Sequence, residues 1–177
     1  MKKIKYIIFD RDGTLIKHIP YLFEPDKVEL LPNVIELLKI FKSNGYKLFL
    51  HTNQSGIARG YYDINDCINC NNKMIDLIGL GEDIFEQICI APDYPPQKLT
   101  YRKPSIKFGM EVMNKYKISR TDLFYIGDSI SDIKTAHSLK CHSFGVRTGE
   151  FDLKDRLEEY PELKTTVIDS LKDIFDL

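Results

Sequence analysis

The sequence has 177 residues, 43% of them apolar and 29% charged, an ordinary globular composition with enough chain for one well-packed domain spanning 1–177. Its 25 Lys and Arg against 26 Asp and Glu leave a net charge of −1, which argues against a nucleic-acid binder, because neutralising phosphates takes a basic excess on one face. No apolar run approaches the roughly 20 residues that span a bilayer, and four cysteines (Cys67, Cys70, Cys89, Cys141) suit a reducing compartment better than a disulfide scaffold, so a cytoplasmic protein away from membranes is expected.

In chain order, residues 6–9 (Y-I-I-F) form an apolar run that stops at two acids, Asp10 and Asp12, followed by Gly13 and Thr14. Such a run reads as a strand buried on both faces inside a parallel sheet, and ligands of open α/β sheets bind just beyond the carboxyl ends of such strands. Asp12-Gly13 also reads as plain turn chemistry and Asp10 as a helix cap. Two carboxylates held close repel unless a cation or a proton intervenes, which points to a hard divalent ion such as Mg²⁺.

Residues 15–30 read as an ordered loop at this strand edge. Pro32 falls in the first turn of a helix with Val34, Leu37, Leu38 and Phe41 on one face and Gly45 as its stop. Residues 46–50 (Y-K-L-F-L) give a second buried strand and complete a βαβ unit with a right-handed crossover. The following T-N-Q-S-G-I-A-R-G, residues 52–60, supplies hydroxyls, amides, glycines and an arginine that suit a phosphate-oxygen cage, or a polar turn.

Asp63 caps a helix running to Leu80, within which Cys67 and Cys70 read as structural thiols. Residues 85–91 form a third strand, and a proline-rich loop then leads to Tyr101-Arg102-Lys103-Pro104. A helix opening at Pro104-Ser105 and running to about Lys117 would put the Lys103 ammonium at a helix N-terminus that already favours anions. Residues 123–126 make a fourth strand closed by G-D-S-I-S-D, which contains Asp128 and Asp132 at i, i+4. A helix at 133–139, a strand at 142–146 ending in Arg147-Thr148-Gly149, a short helix or loop, a strand at 166–168 and a terminal helix with Leu171, Ile174 and Phe175 complete the chain. Every polar cluster falls at the carboxyl end of a strand, which separate turn readings would not do by chance.

These residues resemble four motifs of the haloacid dehalogenase (HAD) superfamily in the right order: D-R-D-G-T from Asp10, Thr52, Lys103, and G-D-x-x-x-D from Gly127 to Asp132. With T-N-Q-S-G-I-A-R-G, R-K-P and V-R-T-G, the pattern is similar to the branch of histidinol-phosphate and D,D-heptose 1,7-bisphosphate phosphatases, the second most closely. The resemblance implies a Rossmann-like, doubly wound, mainly parallel sheet with helices on both faces and no large cap domain, since neither gap between motifs has room for one.

It also implies Mg²⁺-dependent phosphomonoester hydrolysis through an aspartyl-phosphate. Asp10 is the expected nucleophile and Asp12 the acid and base. Thr52 and Asn53 would bind phosphoryl oxygens, and Lys103 would stabilise charge. The metal would be held by the side chains of Asp10 and Asp128 and the carbonyl of Asp12, with Asp132 supporting Lys103 or the metal's waters. Gln54, Ser55, Arg59, Arg102 and Arg147 are expected on the substrate, where an arginine can grip a second phosphate bidentately. The implied reaction removes the 7-phosphate of D-glycero-D-manno-heptose 1,7-bisphosphate in nucleotide-heptose biosynthesis. The alternatives are histidinol phosphate, whose amine would take Glu24, Asp26 or Asp93, another small sugar phosphate, or, remotely, a receiver-type phosphoacceptor domain. A monomer acting on a small phosphorylated sugar, without nucleic acid, is expected.

The resembling enzymes carry a structural zinc loop before R-K-P. Here the loop reads Ala91-Pro92-Asp93-Tyr94-Pro95 and Leu99-Thr100-Tyr101, with no thiolate or imidazole, so zinc is expected to be absent and the loop to be held by its prolines and by packing of Tyr94 and Tyr101.

Overall fold

The computed structural model describes residues 5–96 and 98–176, the side chains of 175 and 176 excepted. Six strands form one sheet: β1 (Tyr6–Phe9), β2 (Lys47–Asn53), β3 (Gln87–Ala91), β4 (Leu123–Gly127), β5 (His142–Val146) and β6 (Thr166–Ile168). All adjacent pairs are parallel, in the order β3-β2-β1-β4-β5-β6. The winding reverses between β1 and β4, so the expected doubly wound sheet has its switch point where Asp10 and Asp128 leave their strands.

Alternation along the strands explains why both faces need cover. Ile7 and Phe9 join Leu48, Leu50 and Ile126 in one apolar cluster, completed by α1 (Val34–Ser43) and α2 (Ile64–Ile78) through Leu37, Leu38, Cys70 and Met74. Ile8, Phe49 and Tyr125 point the other way, into a second cluster with Phe108 and Val112 of α3 (Lys107–Tyr116) and Ala136 and Leu139 of α4 (Ile130–Leu139). A short α5 (Leu153–Leu157) packs beside α4, with Leu153 and Ile133 in a third small apolar cluster. No helix of the described residues is long and apolar enough to cross a membrane. Cys67 and Cys70 are buried, unbridged thiols on α2.

Most boundaries hold within a few residues, and the departures have local causes. The first helix starts at Val34 rather than at Pro32, because Asn33 sits in the left-handed region at φ 65°. Asp63 caps α2 as expected, in a reciprocal capping box with Asp66. The third helix begins at Lys107, not at Pro104: Ser105 N–H donates to the Arg102 carbonyl and Ser105 Oγ to the Thr100 carbonyl, which holds a turn there. Lys103 therefore does not stand at a helix N-terminus. The fourth helix starts earlier than 133, at Ile130, since Ser129 and Asp132 form a capping box that draws the acid into the first turn. The expected terminal helix is present as a 3₁₀ helix at Leu171–Asp176, and the Phe175 side chain lies outside the described residues.

Candidate active site

The site is built from strand ends. Asp10 continues β1 by donating its N–H to the Ile126 carbonyl of β4 (2.8 Å), which points its carboxylate into the switch-point cleft. Lys103 reaches the same place from the loop before α3. Its ammonium lies 2.6 Å from Asp10 Oδ1 and 2.6 Å from Asp132 Oδ1, and all three groups are buried. The other Asp132 oxygen accepts from Ser129 N–H (3.0 Å) and Ser129 Oγ (2.7 Å).

Burial alone would push the Lys103 ammonium down, but Asp10 and Asp132 more than reverse this and hold it charged. Burial raises the Asp10 carboxyl to about 6 against the pull of Lys103, with Asp132 and Asp12 adding to the rise. Asp128 is pushed up to about 9, first by burial and then by repulsion from Asp10 and Asp132.

Oxygens of Asp10, Asp128 and Asp132 lie within 4.8 Å of one another. Lys103 and Ser129 already use both Asp132 oxygens, so Asp10 and Asp128 are the carboxylates with capacity for a cation, and hard oxygen donors crowded in this way suit Mg²⁺. Asp128 lies in a slot between two glycines. A Cβ on Gly13 would meet Asp128 Oδ2 at 2.5 Å, and one on Gly149 at 2.0 Å.

Strand alternation divides the end of β2 between two tasks. On one side, His51 and Asn53 hold the Lys103 loop. His51 Nε2 donates to the Tyr101 carbonyl (2.8 Å), and Nδ1 accepts from the Tyr125 hydroxyl (2.7 Å). Burial and then the Lys103 charge lower His51 to about 3, so the ring is neutral, as this donor–acceptor pattern requires. Asn53 accepts the Lys103 N–H (2.9 Å) and donates to its carbonyl (3.3 Å). On the other side, Thr52 Oγ1 (3.2 Å) and Gln54 Nε2 (2.9 Å) both donate to Asp12 Oδ2. Arg11, between the two acids, turns inward and pairs with Asp12.

A family model described as HAD-hydrolase-like matches residues 100–174. The D-glycero-β-D-manno-heptose-1,7-bisphosphate 7-phosphatase of Haemophilus influenzae is 31% identical over an alignment covering 96% of this chain and 94% of that one. The chain is a HAD-like phosphatase. The Campylobacter jejuni enzyme named for the α anomer is 28% identical, with 75% and 76% covered. A crystal structure of the D,D-heptose 1,7-bisphosphate phosphatase of B. bronchiseptica, complexed with magnesium and phosphate, superposes with TM-score 0.86 at 26% identity, covering 98% of this chain and 97% of that one.

Not every residue expected in the site of this HAD-like phosphatase lines the cleft. Asp10, Asp12, Asn53, Lys103 and Asp128 line a cleft of about 380 Å³, and Ser55 and Gln54 lie in an adjoining one of about 280 Å³. Gln54, however, is 4% exposed, and its amide is spent on Asp12, Thr52 and Tyr62. Both ends of the Asn53 amide are engaged by the Lys103 backbone. Arg147 is turned away, paired with Asp152 and, at 2.8 Å, with Asp169.

Arg59 and Arg102 do not line either cleft but share the Tyr94 ring, with guanidinium carbons 3.6 and 5.8 Å from its centre. Arg59 Nε and Arg102 Nη1 have no hydrogen-bond partner among the described residues.

Sequence reasoning missed Asp93 as the clasp of the proline-rich loop: its Oδ2 accepts the N–H groups of Thr100 (2.9 Å), Tyr101 (2.8 Å) and Arg102 (3.3 Å). Tyr94 and Tyr101 do pack, against Arg59 and Lys107. Also missed were His18, Glu150, Phe151 and Arg156 on the cleft wall, where His18 and Glu150 approach to 3.5 Å. The apolar-then-acid signal at strand ends does not extend to these loop residues.

Proposed function

We propose that this HAD-like phosphatase removes the 7-phosphate of D-glycero-D-manno-heptose 1,7-bisphosphate through an aspartyl-phosphate on Asp10. The observation that carries the reading is the Lys103 ammonium wedged between Asp10 Oδ1 and Asp132 Oδ1 at the switch point, with Asp10 on the cleft wall and its Oδ2 outside the Lys103 contact. That oxygen attacks phosphorus while the bond from phosphorus to the sugar oxygen breaks, and Asp12, a carboxylate among its four hydrogen-bond donors at rest, takes up one proton from solvent as substrate binds and gives it to the leaving alkoxide. Asp12, now a carboxylate, takes a proton from the water that attacks the phosphoryl group, and the bond to Asp10 breaks to release phosphate. Lys103, whose ammonium keeps a third N–H, donates to a phosphoryl oxygen, and Thr52 can do so only once its one hydroxyl proton turns from Asp12 Oδ2. Asn53 serves by holding Lys103, and Gln54 by holding Asp12, rather than by touching substrate.

The Asp10 and Asp128 side chains with the Asp12 carbonyl would hold Mg²⁺, which when bound offsets the repulsion between these acids and an incoming phosphate. One N–H donor of each of Arg59 and Arg102, Nε and Nη1, has no partner among the described residues, and these two donors beside the Tyr94 ring support a bisphosphate by suiting a second anionic group. Full-length similarity to an enzyme named for this substrate supports it further. Free thiols and a net charge of −1 suit a cytoplasmic protein acting alone on a small sugar phosphate.

The test is steady-state phosphate release with Mg²⁺ on both anomers of the heptose bisphosphate, histidinol phosphate and fructose 1,6-bisphosphate. The reading requires one heptose anomer to exceed the other compounds by about a hundredfold in kcat/KM, roughly 2.7 kcal/mol of discrimination. A preference for histidinol phosphate would overturn the substrate.

A further inference from the structure

Asp12 is gripped from behind by a charge that has no route to solvent. Arg11 is 0% exposed, the bulkiest of the fully buried side chains. Its Nε donates to Asp12 Oδ2 (3.1 Å), its Nη2 to Asp12 Oδ1 (3.1 Å), and its Nη1 to Asn71 Oδ1 on α2 (2.8 Å). A buried guanidinium is tolerated only when paired and hydrogen-bonded, and Asp12 is its one ionic partner among the described residues. On the other flank, Gln54 Nε2 donates to Asp12 Oδ2 and to Thr52 Oγ1 (2.8 Å). That amide cannot flip without loss, because its Oε1 accepts from the Tyr62 hydroxyl (2.8 Å) and the Cys67 thiol (3.7 Å).

Asn71 and Cys67 stand on α2, and Tyr62 just before it, stacked on Phe23. One helix, far along the chain from Asp12, thus fixes both jaws that close on this carboxylate.

We propose that Arg11 fixed by Asn71, and Gln54 fixed by Tyr62, are positioning residues that set where the Asp12 carboxyl meets the leaving oxygen. The inference rests on reading Asp12 as the proton donor. None of the four touches the reacting phosphate; each acts through Asp12. A misplaced acid should cost most where the leaving group needs a proton, and positional errors of about 1 Å can cost about a hundredfold in rate.

The test compares kcat/KM for alkyl monoesters (the heptose bisphosphate and glycerol 3-phosphate) with that for 4-nitrophenyl phosphate, whose phenolate leaves unprotonated. The variants are Asp12→Asn, Arg11→Met, Asn71→Leu and Tyr62→Phe. The proposal requires the alkyl-to-aryl ratio to fall about tenfold or more in Asn71→Leu and Tyr62→Phe, through kcat rather than KM. These two remove no charge, so they carry the test if Arg11→Met fails to fold. An unchanged ratio in both, with Asp12→Asn collapsing it, overturns the positioning role and leaves Asp12 as the acid. An unchanged ratio in Asp12→Asn overturns the reading of Asp12 itself, and the positioning role with it.

Discussion

Replacing Lys103 with methionine keeps the side-chain length and deletes the ammonium. In the protein that ammonium lies 2.6 Å from one oxygen each of Asp10 and Asp132, with side-chain exposures of 1%, 10% and 0% for the three residues. Removing one member of a buried, hydrogen-bonded ion pair costs about 3–5 kcal/mol, because the partner charge is stranded. At about 2–4 °C per kcal/mol for a chain of this size, the melting temperature should fall by roughly 6–20 °C.

The pH dependence has a definite sign. Asp10 titrates at about 6 in the protein against an ordinary 3.8, so the folded state holds its proton more tightly than the unfolded state, and this group's contribution to stability falls as pH rises between those values. Without Lys103, whose charge pulls that value down, the Asp10 carboxyl rises further and the loss continues to higher pH. The deficit of Lys103→Met should therefore be larger at about pH 8 than at about pH 5. Thermal melting of both proteins in a metal chelator, at the two pH values, measures it. Equal deficits at both pH values, or none at the higher, would refute the reasoning.

Asp128→Asn should raise the metal-free melting temperature at about pH 8, where burial and its acidic neighbours, which push Asp128 up to about 9, make its ionisation unfavourable. The same variant should lose the stabilisation that added Mg²⁺ gives the unmodified protein, read by melting with and without the ion. Gly149→Ala places a methyl 2.0 Å from Asp128 Oδ2 and should lower kcat by about a hundredfold, with a weaker response in a Mg²⁺ titration. Asp93→Ala frees the backbone N–H groups of Thr100, Tyr101 and Arg102, so faster hydrogen exchange at those amides and about a tenfold rise in KM are expected. Burial opposes the Asp93 charge, but those N–H groups outweigh it and hold its carboxyl below the ordinary value, so the clasp should be present near neutral pH and be lost only as pH falls through the acid range.

The strands and the reacting carboxylates were legible because their signal is local. A buried parallel strand is an unbroken apolar run, and Asp10 and Asp128 interrupt such runs where the sheet ends. The supporting contacts were not legible, because each joins residues far apart in the chain. Asn53 carries amide groups that suit a phosphate, and only the fold reveals that Lys103, 50 residues on, takes both ends of it. Nothing in the sequence marks Arg11 as buried, since its guanidinium is held by Asn71, 60 residues away. Arg147 looked available for substrate until the packing of α5 and the end of β6 brought Asp152 and Asp169 to it. Asp93 offered no pattern at all, since a clasp of three backbone N–H groups leaves no mark on composition or spacing.

The central claim is that Asp10 becomes phosphorylated. Rapid acid quench during turnover of the heptose bisphosphate, followed by peptide mapping by mass spectrometry, tests it directly. Phosphate is expected on the peptide containing Asp10, formed and lost at rates consistent with turnover, with no phosphate release in Asp10→Asn. Phosphate on another residue, or steady release by Asp10→Asn, would contradict it.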